Sequence, residues 1–502
     1  MKNRNVQMKK GMCTALLVLL LSAVGATKGY AQTITVDNLN YTVIHDGSNS
    51  VTLRGHVDGQ GAAGTLTIPS TVTYDGTTYT VTGIDEGAFS GCLGLTGDLI
   101  IPNSVTWIGS WAFAGCEGFN GSLILGNSLT SIGYEAFQGC IGFTGNLTIP
   151  NSVTIIGSRA FEGCSGFTGN LTIPNSVTII GSRAFRECSG FNGELILPNS
   201  LTEIGGGAFY GCSGFIGELN IPNSVSIIQD GDWEDGTFGN CSGFTSLVLS
   251  NSLTRIASNA FYNCTGFSGT LNIPNSVVEI GKDAFACCSG FTGTLVLPNS
   301  LNYIGSEAFV YCTGLTGNLV IPNSVNEIGS YAFAECSGLN GNLLIPQSIS
   351  FISEGLFYHC YGFTSITVCN DTPPTVSDLG QYYAFEGIDK SIPVYVPIGS
   401  IPAYQTAYGW IEFTNYIEST GIDEQKDITV SAYPNPTIGN LTIEAIDLKQ
   451  ITITNMLGQV IYEGKANGNV FEYDFGRHDE GTYLIRIETV NGEAVKKVSV
   501  TR

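Results

Sequence analysis

Positive charge is scarce in this chain. Lys and Arg supply only 20 of its 502 residues, against 42 Asp and Glu, for a formal charge of −22. Nucleic-acid binding needs clustered Lys and Arg, and anionic membranes recruit basic segments, so the composition argues against both partners. Histidine is scarcer still: His45, His56, His359 and His478 are the whole set. No pair among them has metal-ligand spacing, and no His-Glu-x-x-His occurs. Gly163-Cys164-Ser165-Gly166 and its copies set Ser beside Gly without forming Gly-x-Ser-x-Gly. There is no phosphate loop and no dinucleotide fingerprint. We therefore expect no enzyme, no cofactor and no metal. Long apolar runs are missing as well, since a bilayer span needs ~20 residues and no segment reaches that. No transmembrane segment is expected in the mature chain.

What the chain has in plenty is glycine, 65 residues, together with 43% hydrophobic and 10% aromatic residues. High glycine with low charge can mean disorder, but this share of Ile, Leu, Val and Phe predicts a packed core. Lys2 to Lys10 form a basic region, Ala15 to Ala23 a short apolar core, and small residues follow up to Ala31. That is the layout of a secretory signal peptide over residues 1–31, cut after Ala31. Its removal leaves 15 bases against 42 acids.

A repeat fills the middle. Cys92, Cys116, Cys140, Cys164, Cys188, Cys212, Cys241, Cys264, Cys288, Cys312, Cys336 and Cys360 stand 24 apart in nine of eleven intervals, the others being 29 and 23. Around each cysteine one phrase returns; a copy runs from Gly169 to Cys188. Leu171 and Ile173 alternate with Asn170 and Thr172, which is strand period. Pro174 ends that strand, because proline donates nothing to a ladder. Val177 and Ile180 open a second short strand, and Ala184, Phe185 and Cys188 have the spacing of one inward helical turn. A single coil cannot bury these residues, whereas stacked coils bury them as columns. The expected fold is a repeat solenoid of twelve coils over residues 83–370, mostly short β-strands with one helical turn per coil.

The phrase Ile-x-Ile-Pro, then Val-x-x-Ile-Gly, then Ala-Phe-x-x-Cys resembles the BspA-like class of bacterial leucine-rich repeats, from about Gly83 to Val368. Most copies carry one extra residue before the strand, as in Phe167-Thr168-Gly169-Asn170-Leu171, which Phe244-Thr245-Ser246-Leu247 and Phe363-Thr364-Ser365-Ile366 lack. A wider loop is expected in the longer copies. The 29-residue interval carries an acidic insertion, residues 229–236, from Gln229 to Gly236. Its four acids invite a calcium reading, yet an EF-hand loop would require Gly where Asp235 stands and Glu where Cys241 stands. A solvated bulge is the plainer reading.

Residues 32–82 alternate apolar and polar, with turns at Asp46-Gly47 and Asp75-Gly76, and read as a β cap on the first coil. Residues 371–418 resemble the closing segment of the same class, and residues 419–427 read as a polar linker. Short alternating strands from 428 to 502 suggest a small C-terminal β-sandwich of Ig-like type. Its motifs centre on Pro434, Asn435, Pro436 and Gly439, then Asn455, Leu457 and Gly458, then Gly481 and Tyr483, and finally Lys496 and Lys497. They resemble the type A C-terminal sorting domain of type IX secretion. The resemblance implies handling by that machinery through residues 428–502, and a body secreted to the cell surface, anchored outside the outer membrane or released.

Export favours disulfides, and adjacent coils would bring cysteines within range. A reduced, buried column of small hydrophobes is nevertheless the expected state, with Cys287 and Cys369 the expected exceptions. The pair His359-Cys360 reads as a packed core thiol rather than a reactive one. Without catalytic residues, function must lie on a surface. One candidate is the outward row of the first strand, such as Asn146, Thr148, Asn170 and Thr172. The other follows the second strand and carries Trp107, Trp111, Tyr134, Glu135, Arg159, Arg183, Arg186, Tyr303, Glu307 and Tyr331. The resemblance implies adhesion to a protein or cell-surface ligand; the alternative is a structural surface-layer or biofilm component.

Overall fold

The computed structural model describes residues 32–231, 235–378, 382–419, 430–435, 437, 439–445, 448–455, 460–466, 468–489 and 492–501. The expected leader with its cleavage after Ala31, the linker beyond Ser419, and Pro436, Leu457 and Gly458 lie outside the described residues. The chain divides into two compact units. One holds everything described before residue 342, with Phe351–Phe363 and Val376–Asp389; the other holds Asn342–Ser350, Thr364–Thr375 and Lys390–Arg502.

In the first unit, most coils contribute two short strands, and at Ile196, Asn272 and Val296 the first is reduced to isolated bridges. The second strands form one continuous parallel ladder: Trp107–Ile108, Ser131–Ile132, Ile155–Ile156, Ile179–Ile180, Glu203–Ile204 and Ile227–Ile228. Each step pairs equivalent residues, as Ile156 with Ile180. The inward Leu, Ile, Val, Ala, Phe and Cys of every coil are buried, and Val177, Ile180, Ala184, Phe185, Cys188 and Phe191 are fully so. Two phenylalanine columns run through the core. Phe113, Phe137, Phe161 and Phe185 stack with ring centroids 5.3, 5.3 and 5.4 Å apart and nearly parallel planes. Phe143, Phe167 and Phe191 stack beside them. Repetition sets this geometry: every coil presents the same ring at the same height.

The expected helical turn is not formed. Its residues make separate three-residue closures, such as Ala184 N to Gly181 O and Cys188 N to Phe185 O. The helix cannot propagate, because Arg183 and Glu187 adopt left-handed φ of 57° and 60°. The N–H groups freed by this twist bond to the next coil instead. Phe137, Phe161 and Phe185 donate to the carbonyls of Ala160, Ala184 and Ala208 at 2.8 Å each. The turns thus form a third ladder, and among the described residues α-helix is confined to Ile401–Tyr404.

Where a longer copy meets a shorter one, the ladder skips a residue, leaving Thr245 of the shorter copy unpaired. Where Gly217–Asn220 pairs with the shorter Phe244–Val248, the register shifts between Gly217 and Glu218, and Gly217 takes φ of 81°. The 29-residue interval is absorbed before Thr237, which takes the place of the usual alanine. Its hydroxyl donates to Gln229 O at 3.1 Å, and Phe209 N reaches its carbonyl at 2.9 Å. At the N-terminal end, Thr33–Val36, Leu39–Ile44 and Ser50–His56 form an antiparallel meander, and Ser50–His56 pairs in parallel with Thr77–Ile84. Thr77–Ile84 then starts the second-strand ladder by pairing with Trp107–Ile108.

In the second unit, Asn342–Ile345, Ser365–Val368, Val394–Pro397 and Tyr416–Ser419 form a parallel sheet. Ser419, read as linker, therefore ends a strand. Trp410 and Tyr404 are buried there; Trp410 Nε1 donates to Pro374 O at 2.9 Å, and the Tyr404 hydroxyl to Asn370 O at 2.8 Å. Further on, Ser431–Tyr433, Asn440–Glu444 and Val470–Asp474 make one antiparallel sheet, and Val460–Lys465, Leu448–Asn455, Gly481–Thr489 and Gly492–Val500 another. Leu441 and Ile443 of the first share an apolar core with Ile451, Ile453, Ile485, Ile487 and Val498 of the second.

Candidate interaction face

The left-handed residues recur in register and mark one face. A first column holds Trp111, Glu135, Arg159, Arg183, Asn259, Asp283, Glu307 and Tyr331; a second holds Glu187, Asn240, Asn263, Cys287, Tyr311, Glu335 and His359. Other coils put glycine at these positions, as Gly139, Gly163 and Gly211. Glycine adopts this φ freely, whereas another residue is strained by about 1–2 kcal/mol. Large charged and aromatic side chains held at strained positions point to function more than to stability. The sequence pattern marked the first column by its composition; it missed the second, whose signal was glycine alternating with unrelated polar residues every 24 positions.

Two adjacent coils sharpen the point. Residues 145–168 and 169–192 differ only at 162/186, 163/187 and 168/192. The first two substitutions, Glu162 against Arg186 and Gly163 against Glu187, fall on this turn face. Their partners meet across the coils, with Arg186 3.5 Å from the Glu162 carboxylate. The contact belongs to a longer chain of charge. The Trp111 indole donates to Glu135 at 2.7 Å, and Arg159 reaches Glu135 at 3.0 Å and Glu162 at 3.6 Å. Arg183 and Arg186 both grip Asp235, at 2.7 and 3.3 Å, and Arg186 lies 5.1 Å over the Tyr210 ring. Burial pushes the Glu135 carboxyl up, but hydrogen bonds from Tyr134, Trp111 and Arg159 outweigh it and leave the pKa lowered.

The acidic insertion is pinned by the same arginine chemistry. Asp230 binds Arg255 at 2.7 Å and accepts from Ser258 N, so its pKa falls despite burial. With Asp230 and Asp235 both on arginines, the insertion is a clamp rather than a free bulge; residues 232–234 lie outside the described set. Among the described residues, no three His, Cys, Asp or Glu are grouped to hold a metal ion.

Further along, the turn face changes character. Tyr331, Tyr358 and Tyr382 pack edge to face, with Tyr382 6.1 Å from Tyr331 and 4.9 Å from Tyr358. His359 stacks between Tyr358 and Tyr361, at 3.7 and 5.0 Å, while its Nδ1 lies 2.7 Å from Glu335. Cys360 points away into the core, where its thiol donates to Phe333 O at 3.0 Å, so His359 and Cys360 form no reactive pair.

The strand face is the second candidate. Its polar members link coils: Asp98 accepts from Ser122 N and Asn146 from Asn170 N, both at 2.7 Å. Ile100, Ile124, Ile196 and Val296 stay exposed between them. A shallow groove of about 510 Å³ lies along Glu194, Ile196, Glu218, Asn220 and Val248.

The cysteine column is buried throughout, and each thiol from Cys116 to Cys360 donates to the carbonyl of a phenylalanine one coil earlier, as Cys188 to Phe161 O at 3.0 Å. Burial pushes the Cys116, Cys264 and Cys336 thiols up to about 12. All twelve are free thiols. Cys287, expected to be an exception, is also a free thiol: its left-handed position sets it on the turn face rather than in the core, near Asp283 and Glu307. Cys369 is half-buried.

At the C-terminal end, motifs far apart in sequence converge. Asn435 Nδ2 donates to Lys497 O and its Oδ1 accepts from Ser499 N, both at 2.9 Å. Asn455 lies opposite Tyr483 in the sheet, and the Tyr483 hydroxyl donates to Asp479 O. Lys496 and Lys497 face Ile485 and Leu484 on the neighbouring strand, and the Gly439 carbonyl accepts from Phe475 N. Pro434 precedes the Asn435 clamp, in a cis peptide with Tyr433.

Residues 72–166, 119–234, 168–292, 231–364 and 316–399 match a family model described as a BspA type leucine rich repeat region. The chain belongs to the BspA-type leucine-rich-repeat family. Residues 431–501 of this BspA-type protein match a second model, a secretion system C-terminal sorting domain. That domain directs the protein through type IX secretion, so it is exported to the cell surface or released. Among the described residues, no helix is long and apolar enough to cross a membrane. An ulvan lyase of Nonlabens ulvanivorans is 36% identical over 84 residues, which covers 16% of this chain and 16% of that enzyme. Crystal structures similar to this chain include a leucine rich cell surface protein from Faecalibacterium prausnitzii, 23% identical, covering 68% of this chain and 96% of the other with a TM-score of 0.44. Another is a leucine-rich repeat protein from Bacteroides ovatus, 26% identical, covering 63% and 95% with a TM-score of 0.38.

Proposed function

We propose that this exported BspA-type protein is an adhesin whose turn face binds a protein on host matrix or on other cells. The observation that carries the reading is the pair of near-identical coils, 145–168 and 169–192, which diverge mainly on that face. A coat component with no partner would gain nothing from strained Trp, Arg, Tyr and His side chains where glycine is unstrained. On this reading the chain has no catalytic role; residues 1–31 are a leader cut after Ala31, residues 83–370 are the binding body, and residues 428–502 are the address read by the type IX machinery. An Ig-like fold for the last segment is supported by its two antiparallel sheets around one core.

The test is a binding screen of the purified protein against immobilised matrix proteins and whole cells. Saturable binding is expected, weakened by Trp111→Ala with Tyr134→Ala and Tyr311→Ala, and untouched by Thr172→Ala on the strand face. Uniform, unsaturable coating would favour the surface-layer reading, and loss only on strand-face substitution would move the site to the groove beside Ile196.

A further inference from the structure

The turn face is not uniform in charge. Up to Lys282, its carboxylates meet Arg159, Arg183, Arg186 and Arg255. Between Lys282 and Lys390 the chain contains no Lys or Arg at all. Over that stretch the same face carries tyrosine instead. Tyr311, Tyr361, Tyr382 and Tyr383 are exposed to 50%, 55%, 44% and 60%.

The rings are seated by the backbone. Gly355, at φ of 59°, has no side chain, and a Cβ there would lie 2.2 Å from the Tyr331 ring. A Cβ on Gly387 would lie 2.9 Å from the Tyr361 ring. Two glycines in the turn columns thus let Tyr331 and Tyr361 lie against the next coil. Carboxylates border the rings: Glu354 accepts from the Tyr331 hydroxyl, and Glu335 holds His359. Burial raises the Tyr358 pKa, and the nearby charges of Glu386 and Glu335 raise it further.

A tyrosine face attracts cations through its ring quadrupole, and flanking carboxylates add to that attraction. Neutral sugars would stack on the rings and hydrogen-bond to the carboxylates but gain nothing from a face stripped of Lys and Arg, and an acidic partner would be repelled. We propose that this tyrosine–carboxylate patch binds an exposed Lys/Arg-bearing segment of a partner protein. The inference rests on the adhesin reading and names the chemistry of its partner.

The test uses the full protein and a short fluorescent peptide of alternating lysine and glycine. Tyr361→Ala, Tyr382→Ala and Tyr383→Ala together leave the charge unchanged and remove only exposed rings. They are expected to weaken the peptide by about tenfold or more, as the loss of several cation–π contacts implies. Thr148→Ala with Thr172→Ala, both exposed on the strand face, should leave it unchanged. Equal loss in both variants, or no loss in the first, would mean diffuse attraction to an acidic surface and would overturn the proposal. Binding of a neutral oligosaccharide, lost in the same triple variant while the peptide is unaffected, would reassign the patch to glycans. The two readings fail differently. If matrix proteins or cells still bind saturably while the triple variant holds the peptide normally, the patch inference falls and the adhesin stands. If the peptide behaves as expected but no cell or matrix protein binds, the adhesin reading falls alone.

Discussion

Phe185 sits in a stack of parallel rings and is fully buried, while Thr172 on the same coil faces solvent. Phe185→Ala should cost about 3–5 kcal/mol and Thr172→Ala should stay within about 0.5 kcal/mol, as read by denaturant titration. Equal effects would invert the assignment of inside and outside. The thiols give a second test at this scale. A buried thiol stays protonated, so its folded pKa lies above that of the unfolded chain, which ionises near 8.5. Stability is therefore full below that pH and falls as pH rises toward about 12, the value to which Cys116, Cys264 and Cys336 are pushed. The slope should reach about 1.4 kcal/mol per pH unit for each thiol that ionises only on unfolding. Melting curves between pH 8 and 11 should show this loss, and Cys188→Ala should make it shallower. Inward residues such as these were legible in the sequence because burial demands the same apolar side chain at every coil. Thiol hydrogen bonds to the phenylalanine carbonyls were not, since spacing says nothing of where a sulfur points.

The coil itself was only partly legible. Leu171–Thr172 and Ile179–Ile180 are strands as their alternation and β-branched residues predict. The segment Ala184 to Cys188 has helical spacing but no helix, because a dihedral demand at Arg183 and Glu187 overrides it. Nothing in the chemistry of Trp, Glu, Arg or Tyr announces a shared left-handed φ. That demand yields a prediction about strain. Glu187→Gly should stabilise the protein by about 1 kcal/mol, and Gly163→Ala, at φ of 74° with its Cβ at an ordinary contact distance of 3.7 Å from the Gly139 backbone, should destabilise it by a similar amount. Thermal melts of the two variants would decide it; the same sign for both would show that side-chain contacts, not backbone strain, set these positions.

For the molecule as a whole, the sorting segment was legible as motifs, and the clamp that joins Asn435 to the strand of Lys497 was not, since the two lie 62 residues apart. Removing residues 428–502 should leave a folded body in the periplasm, because the repeat core and the sorting core are made of different residues. Fractionation with surface proteolysis of intact cells would show it, and a truncated chain still reaching the surface would contradict the sorting role.

The phenylalanine stack has a consequence for heredity. Because each ring meets only its neighbours at a fixed step, a whole coil can be lost or gained without disturbing those that remain. Residues 145–168 and 169–192 are so alike that their coding stretches invite unequal recombination. Excising 169–192 would set Phe161 against Phe209 at the usual step and shorten the array by one unit. What such an event would change is the turn face, which would lose Arg183 and Arg186 with their contacts to Glu162, Asp235 and Tyr210, so descendants of one gene could differ in reach and in surface while sharing one core.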